Sequence, residues 1–196
     1  MGLYKYIRQV WKRPKENLGQ IWKDRLIQWR KESSTVRIDK PTRIDRARSL
    51  GYKAKPGVIV VRQRVSRKAR MRPAVAGGRR PKTFRHKKVT NMNYRAIAEQ
   101  RANKKYVNCE VLNSYYVAED GKYFWYEIIL VDKAHPQITS DKELNFLSYS
   151  TKRAFRGQTS AGKKHRGLRT KGKGAEKLRP SASAVYKKKV SRQKRV

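Results

Sequence analysis

Cysteine is nearly absent from this 196-residue chain: Cys109 stands alone. That excludes an intrachain disulfide framework and any cysteine-built zinc site. The three histidines, His86, His135 and His165, lack the short spacing that metal ligands share on one helix or turn. Surface or RNA-contacting roles are expected for them, and no cofactor is expected. Acids are scarce too, with 14 Asp and Glu against 52 Lys and Arg, a formal net charge of +38. Between Arg46 and Ala98 there is no acid at all. No apolar run approaches the roughly 20 residues that a membrane-spanning helix needs, and the N-terminus has no apolar signal core. Met1-Gly2 opens like a myristoylation site, but Tyr6 stands where that motif needs Ser or Thr. A soluble, intracellular chain with no membrane partner and no small-molecule substrate is expected.

So few acids leave little for acid–base chemistry. Glu110, Asp120 and Asp132 could be imagined as a nuclease triad, but nothing in their spacing brings them together, and charge on the surface of a sheet is the plainer reading. The run from Gly157 to Lys164 matches a phosphate-binding P-loop up to its last position, where Lys164 replaces the magnesium-binding Ser or Thr. No apolar strand leads into it, so nucleotide hydrolysis is not expected. Its glycines could still let backbone approach phosphates, with Lys163, Lys164 and Arg166 adding charge.

What is present is a polyanion binder's charge. Hydrophobic residues make up 37% of the chain, enough for a modest core but not for one extending throughout. Residues 3–12 have the apolar spacing of a short helix. Pro14 suits the first turn of a second, in which Leu18, Ile21, Trp22, Arg25, Leu26 and Trp29 form an amphipathic stripe for a core or a partner protein. Ile44 to Leu50 reads as a short helix capped by Gly51. Pro56-Gly57 turns the chain into Val58–Val61, a strand by its β-branched run. After Val61 the character becomes basic, and Arg62 and Arg64 are expected to face outward as the first contacts of an arm. Asn91 or Asn93 can cap a helix running to Tyr106. Residues 107–118 and 122–132 read as strands joined across Asp120-Gly121, a strong hairpin signal. Cys109, Val111 and Tyr115 alternate on the first, and the second is apolar enough to be central. Seven of the 14 acids fall between Glu110 and Glu143, the charge balance of an ordinary folded body.

The expected fold class is α+β: a small mixed body with an antiparallel sheet, N-terminal helices and long basic extensions. Its parts are N-terminal helices over 1–34, a body from 35–65 and 93–149, an internal basic arm over 66–92, and a basic C-terminal extension over 150–196. The arm's flanks are apolar elements, so both its ends are tied down, which argues for threading into nucleic acid over a solvated tail. Candidate RNA contacts in and before it are Arg46, Arg48, Lys53, Lys55, Arg62 and Arg64, then Arg67, Lys68, Arg70 and Arg72. They continue through Gly77, Gly78, Arg79, Arg80, Lys82, Phe84, Arg85, His86, Lys87 and Lys88. Arg95 on the following helix joins them, as do Arg153, Arg156, Lys163, Lys164, His165, Arg166, Arg169 and Lys171 in the C-terminal segment. Such arms neutralise many phosphates and release counterions. Interleaved aromatics such as Phe84, Tyr94, Tyr149 and Phe155 can stack on unpaired bases. Without a helix-turn-helix, zinc finger or RNP motif, shape-reading of a large folded RNA fits better than sequence-reading of DNA. A DNA-compacting chromatin protein is the alternative, weakened by the hairpin and the scattered aromatics.

Asp45 through Val65 (DRARSLGYKAKPGVIVVRQRV) closely resembles the signature of the L-fifteen-e family of large-subunit ribosomal proteins, shared by archaea and eukaryotes. The start Met1–Tyr6, Gly78–Pro81, Asn93–Arg95 and the run Arg156–Leu168 resemble it as well, so the likeness runs end to end. It implies a mixed α/β body, arms buried in large-subunit ribosomal RNA, neighbouring large-subunit ribosomal proteins as further partners, a place in the cytoplasmic large subunit, and no catalysis. The chain's length fits an archaeal member.

Overall fold

A strand of ten residues with almost no polar side chain, β6 (Tyr123–Asp132), forms the middle of the protein. The structure, a computed structural model, describes residues 2–79, 87, 88, 90, 92–170 and 175. β6 pairs antiparallel on one side with β2 (Val58–Ser66) and on the other with β5 (Cys109–Glu119). β1 (Thr35–Ile38) extends the sheet beyond β2, giving the order β1-β2-β6-β5. Because side chains alternate between sheet faces, Phe124, Tyr126, Ile128 and Leu130 face one layer while Trp125 and Ile129 face the other. Both layers are covered, so the alternation of a half-buried strand is replaced by a continuous apolar run.

The first layer is α4 (Tyr94–Lys105), started by the Asn93 side chain, which accepts a hydrogen bond from the Ala96 N–H at 2.7 Å. α4 puts Ala98 and Ala102, both fully buried, against Val61, Ile128 and Leu130. Alanines let the helix lie close to the sheet. The second layer comes from the N-terminal helices α1 (Leu3–Val10) and α2 (Pro14–Lys31), together with α3 (Ile44–Ser49). Trp22, Trp29 and Ala47 pack there on Tyr115, Trp125 and Ile129. α2 is kinked at Gly19, whose φ of 47° and ψ of −118° lie outside the helical region. The expected stripe is broken accordingly: Trp22 and Trp29 are buried, but Ile21 is 57% exposed. At the end of the sheet, α5 (Pro136–Thr139) and a 3-10 turn (Asn145–Leu147) bring Ile138, Leu144 and Leu147 onto Val131.

Three expectations need correction. Strand β2 does not end at Val61 but runs to Ser66, with Arg62 paired to Glu127 and Arg64 to Trp125 in register. β5 carries irregularities between Val111 and Asn113 and between Tyr116 and Ala118. An inserted residue shifts the alternation, so Cys109 and Val111 face the α4 layer while Tyr115 faces the tryptophan layer. An extended chain from Ser150 onward is not what forms between 151 and 169. The backbone N–H groups of Lys152 and Arg153 donate to the buried Glu110 carboxylate at 2.6 and 3.1 Å. α6 (Ser160–His165) then packs on α4 and β5 through Ala161 and Gly162. The basic arm itself contains a short ladder, β3 (Arg70–Met71) against β4 (Lys87–Lys88), which closes its base.

Candidate nucleic-acid interface

The expected RNA contacts separate into side chains bound within the protein and side chains left open. Arg62 belongs to the first group and is a correction to its outward-facing reading. It is 9% exposed, donates from Nη2 to Glu32 Oε2 at 2.6 Å, and lies 4.5 Å over the Trp29 ring. Arg64 lies 4.5 Å over Tyr123 and donates to the Arg30 carbonyl at 2.6 Å. Arg67 lies 4.7 Å over Phe124 and donates to the Asp120 carbonyl at 2.6 Å. Strand β2 and the residue just after it therefore lay Arg62, Arg64 and Arg67 on the protein's own rings, where cation–π attraction holds them.

Lys53 and Lys55 are held by acids of the α5 region. Lys53 Nζ lies 2.7 Å from Glu143 and 3.1 Å from Asp141, and Lys55 also pairs with Asp141. Hydrogen bonds from Lys55, then the Glu143 N–H, then Lys53 keep the Asp141 carboxyl well below its usual range, while Glu143 and then Asp141 hold the Lys53 ammonium above its own. Arg48 stacks on Tyr4 and bonds its hydroxyl. In the C-terminal segment, Arg153 donates to the Val111 carbonyl at 3.0 Å and lies 5.1 Å over Phe146. Arg156 donates to the Thr151 carbonyl at 2.9 Å, Arg166 to the Gly157 carbonyl at 3.2 Å, and Arg169 to Ser160 Oγ at 2.5 Å. His165 is half-buried.

Beneath these lies a buried polar centre that no motif announced. Glu99 on α4 accepts from Ser114 Oγ and from Thr159 Oγ1, each at 2.5 Å, and so ties α4 to β5 and to the cap of α6. Burial pushes its carboxyl up from the ordinary range, and the hydroxyl donors and nearby Arg95 pull part of that back. Arg95 donates to Ser114 Oγ at 2.7 Å and to Asn113 Oδ1 at 2.8 Å. Burial lowers its pKa, opposed by Glu99 and reinforced by Arg46 and Arg169. On the other sheet face Glu127, also pushed up by burial, accepts from the Tyr115 hydroxyl and from the Thr42 N–H at 3.1 Å.

The imagined acid triad has no common site. Glu110 and Asp132 stand at one end of the hairpin and Asp120 at the other, where Asp120 accepts from the Lys122 and Tyr123 N–H groups at 2.7 and 2.6 Å. Glu110 is 2% exposed, so it is not the surface charge expected of it. The P-loop look-alike owes its glycines to internal packing. A Cβ on Gly162 would sit 2.6 Å from Gly157 Cα, and one on Gly157 would sit 2.7 Å from Arg166 Cδ. No helix among the described residues is long and apolar enough to cross a membrane, and no group of three or more His, Cys, Asp or Glu among them could hold a metal.

The open set is smaller. Arg46, Lys68, Arg79, Lys87, Lys163 and Lys164 are exposed, and Arg70 is half-exposed on β3. Arg72 is exposed as well but has a contact within the protein. Gly77 and Gly78, with φ of 66° and 67°, have nothing within 4 Å of where a Cβ would stand. Arg80, Lys82, Phe84, Arg85, His86 and Lys171, with the Lys88 side chain, lie outside the described residues. Two basic residues absent from the expected set, Arg8 and Arg43, line a cavity with Arg46 and Arg95. Arg43 sits in the connector before α3, and Arg8 lies beside the apolar positions of α1. The one hint in the sequence is that each adjoins an element start or an apolar stripe.

A family profile described as Ribosomal L15 matches residues 2–185. Over 189 residues the chain is 50% identical to a protein named large ribosomal subunit protein eL15 from Nanoarchaeum equitans (strain Kin4-M), an alignment covering 95% of this chain and 100% of that one.

Proposed function

The chain belongs to the Ribosomal L15 family, and from that premise we propose that it is a structural constituent of the large ribosomal subunit that binds and stabilises large-subunit ribosomal RNA. It is a ribosomal component and not an enzyme. The observation that carries the reading is the full-length likeness to an archaeal large-subunit protein, on a chain with a net charge of +38. Its partners are that RNA and neighbouring large-subunit ribosomal proteins, and its place is the ribosome of the cytoplasm.

The work is divided along the chain. The sheet body (35–65 and 93–149) and the N-terminal helices (1–34) form the scaffold, and the arm (66–92) and the C-terminal segment (150–196) make the phosphate contacts. Support comes from the exposure of every described residue from 71 to 79, Arg79 among them. The β3–β4 ladder holds the two ends of the arm together, so part of the entropy of placing it is already spent in folding. At Gly77-Gly78 a phosphate can approach the backbone closely. Lys163 and Lys164, exposed on α6, extend the basic surface. Arg62, Arg64, Arg67, Lys53 and Lys55 act in this scheme chiefly by fixing the scaffold.

Gradient sedimentation of a cell extract after moderate salt washes tests the reading. The protein is expected to travel with large subunits, and a protein found mostly free of ribosomes would overturn it.

A further inference from the structure

β5 is one edge of the main sheet, β1 the other, and a basic groove runs between β5 and the N-terminal helices. One cavity, about 620 Å³, is lined by Arg8, Arg43, Arg46, Arg95, Tyr115 and Tyr116. A second, about 350 Å³, is lined by Trp11, Lys12, Arg13 and Lys15 together with the same Arg43 and Tyr116. The shared pair sets the two cavities side by side. Each lies within the roughly 300–1,000 Å³ of small-ligand sites.

The first cavity gathers four guanidiniums against one carboxylate, Asp45. Asp45 is 4% exposed and paired with Arg43 at 3.5 Å, so it neutralises little of the rest. Arg43 is held 5.0 Å over the Trp11 ring, and Arg95 is fixed by Ser114 and Asn113 at 2.7 and 2.8 Å. Two charges are thus preplaced, and an anion arriving there meets no ordering cost for them. Arg8 and Arg46 are exposed and form no salt bridge among the described residues. In the second cavity Glu16 faces Arg13 at 3.4 Å, and Glu119 lies 3.8 Å from Arg67. Tyr116, 42% exposed between the two, is braced edge-on by Tyr126 at 6.1 Å. Fixed guanidiniums beside a braced, exposed ring form the pattern that receives a phosphate and its unpaired base.

We propose that this groove takes a short unpaired segment of ribosomal RNA, with a phosphate among Arg8, Arg46 and Arg95 and a base stacked on Tyr116. The proposal rests on the ribosomal RNA reading above and adds to the arms a site on the body. An acidic protein segment has the charge to enter but makes less use of the ring, since stacking gains most from a flat base.

The full chain is bound to in vitro transcribed large-subunit ribosomal RNA, irradiated with ultraviolet light and digested, and nucleotide adducts are mapped. An adduct on the peptide 106–122, which carries Tyr116, is expected from the unsubstituted protein. In filter binding from 50 to 200 mM salt, the Arg8→Glu/Arg46→Glu double variant is expected to bind about tenfold more weakly or worse. Its salt slope should fall by about one, the share of the one phosphate the pair helps to hold. Arg8→Lys/Arg46→Lys should stay within about twofold, since the charge is kept. Tyr116→Ala should lose about fivefold or more and Tyr116→Phe little. An unchanged salt slope in the double Glu variant with no adduct on 106–122 overturns the groove site, while the arms' binding stands. Crosslinks from this peptide only to a protein, in purified large subunits, also overturn it. If the unsubstituted chain does not prefer ribosomal RNA to duplex DNA of equal length, the function proposed above falls first and the groove with it.

Discussion

Replacing Gly162 with Ala sets two effects of opposite sign against each other. Gly162 lies inside α6, and in a helix interior Gly→Ala ordinarily gains about 1 kcal/mol. Here the new Cβ would stand 2.6 Å from Gly157 Cα, 2.7 Å from its carbonyl carbon and 2.9 Å from its carbonyl oxygen. Carbon pairs prefer about 3.5–4.0 Å, and all three obstacles are backbone, so no rotamer change relieves them. Gly157 cannot easily retreat, having a φ of 65° and Arg166 packed where its own Cβ would be. Overpacking of this kind costs about 1–3 kcal/mol, and the backbone character of the clash puts the cost at the upper end. The net loss is then about 1–2 kcal/mol, or a fall of about 2–8 °C in Tm for a chain of this size. Far-UV circular dichroism melts of the RNA-free chain measure it. Gly121→Ala, with nothing within 4 Å of the new Cβ, serves as the control and should melt within about 0.5 kcal/mol of the parent. A Gly162→Ala protein melting at or above the parent would refute the close packing of α6 on the 157 turn.

Other perturbations separate scaffold from interface. Arg62→Ala removes the 2.6 Å pair with Glu32 and the contact over Trp29, and is expected to cost about 1–3 kcal/mol in denaturant unfolding with no change in the salt slope for RNA. Arg79→Ala and Arg80→Ala should do the reverse, each lowering that slope by about one with the melting curve unmoved; an unchanged slope would show that these side chains stay solvated. Glu99 is raised above the ordinary 4.5 mainly by burial, so the folded state holds its proton more tightly than the unfolded. Its stabilising contribution is complete below pH 4.5 and fades as pH rises through the raised value. Glu99→Gln should therefore flatten the fall in stability above pH 4.5, and parallel profiles for parent and variant in denaturant titrations would contradict it.

The elements with strong local chemistry were legible. The apolar run of β6 needed no partner to announce a central strand, and Asp120-Gly121 marked its hairpin with β5. Asn93 caps α4 as its side chain allows, and Gly51, at a φ of 97°, stands just after α3. The arginines of β2 were misread because their environment is made by distant residues. Arg62 is buried only because Glu32 and Trp29 arrive from α2, and a period-two pattern of arginine looks the same on a solvated arm. The folded segment at 151–169 was hidden for a related reason. It is anchored by Glu110, Glu99 and small residues, whereas the hydrophobic pattern looks for large apolar side chains. The irregularities of β5 leave no mark on alternation until the register with β6 is known.

Composition and order of residues alone were enough for the basic, polyanion-binding character, the α+β class, the hairpin, and the resemblance to a ribosomal family. Each depends on net charge, local periodicity or turn chemistry, which neighbours in sequence already contain. Which of the many cations remain available to a partner was settled by folding. Coulomb and cation–π attraction act over a few ångströms, and the acids and rings that hold Arg62, Arg64, Lys53 and Lys55 come from elsewhere in the chain. The same folding collected Arg8, Arg43, Arg46 and Arg95 beside Tyr116, four charges scattered through 88 positions of sequence and joined only where the N-terminal helices meet the edge of the sheet.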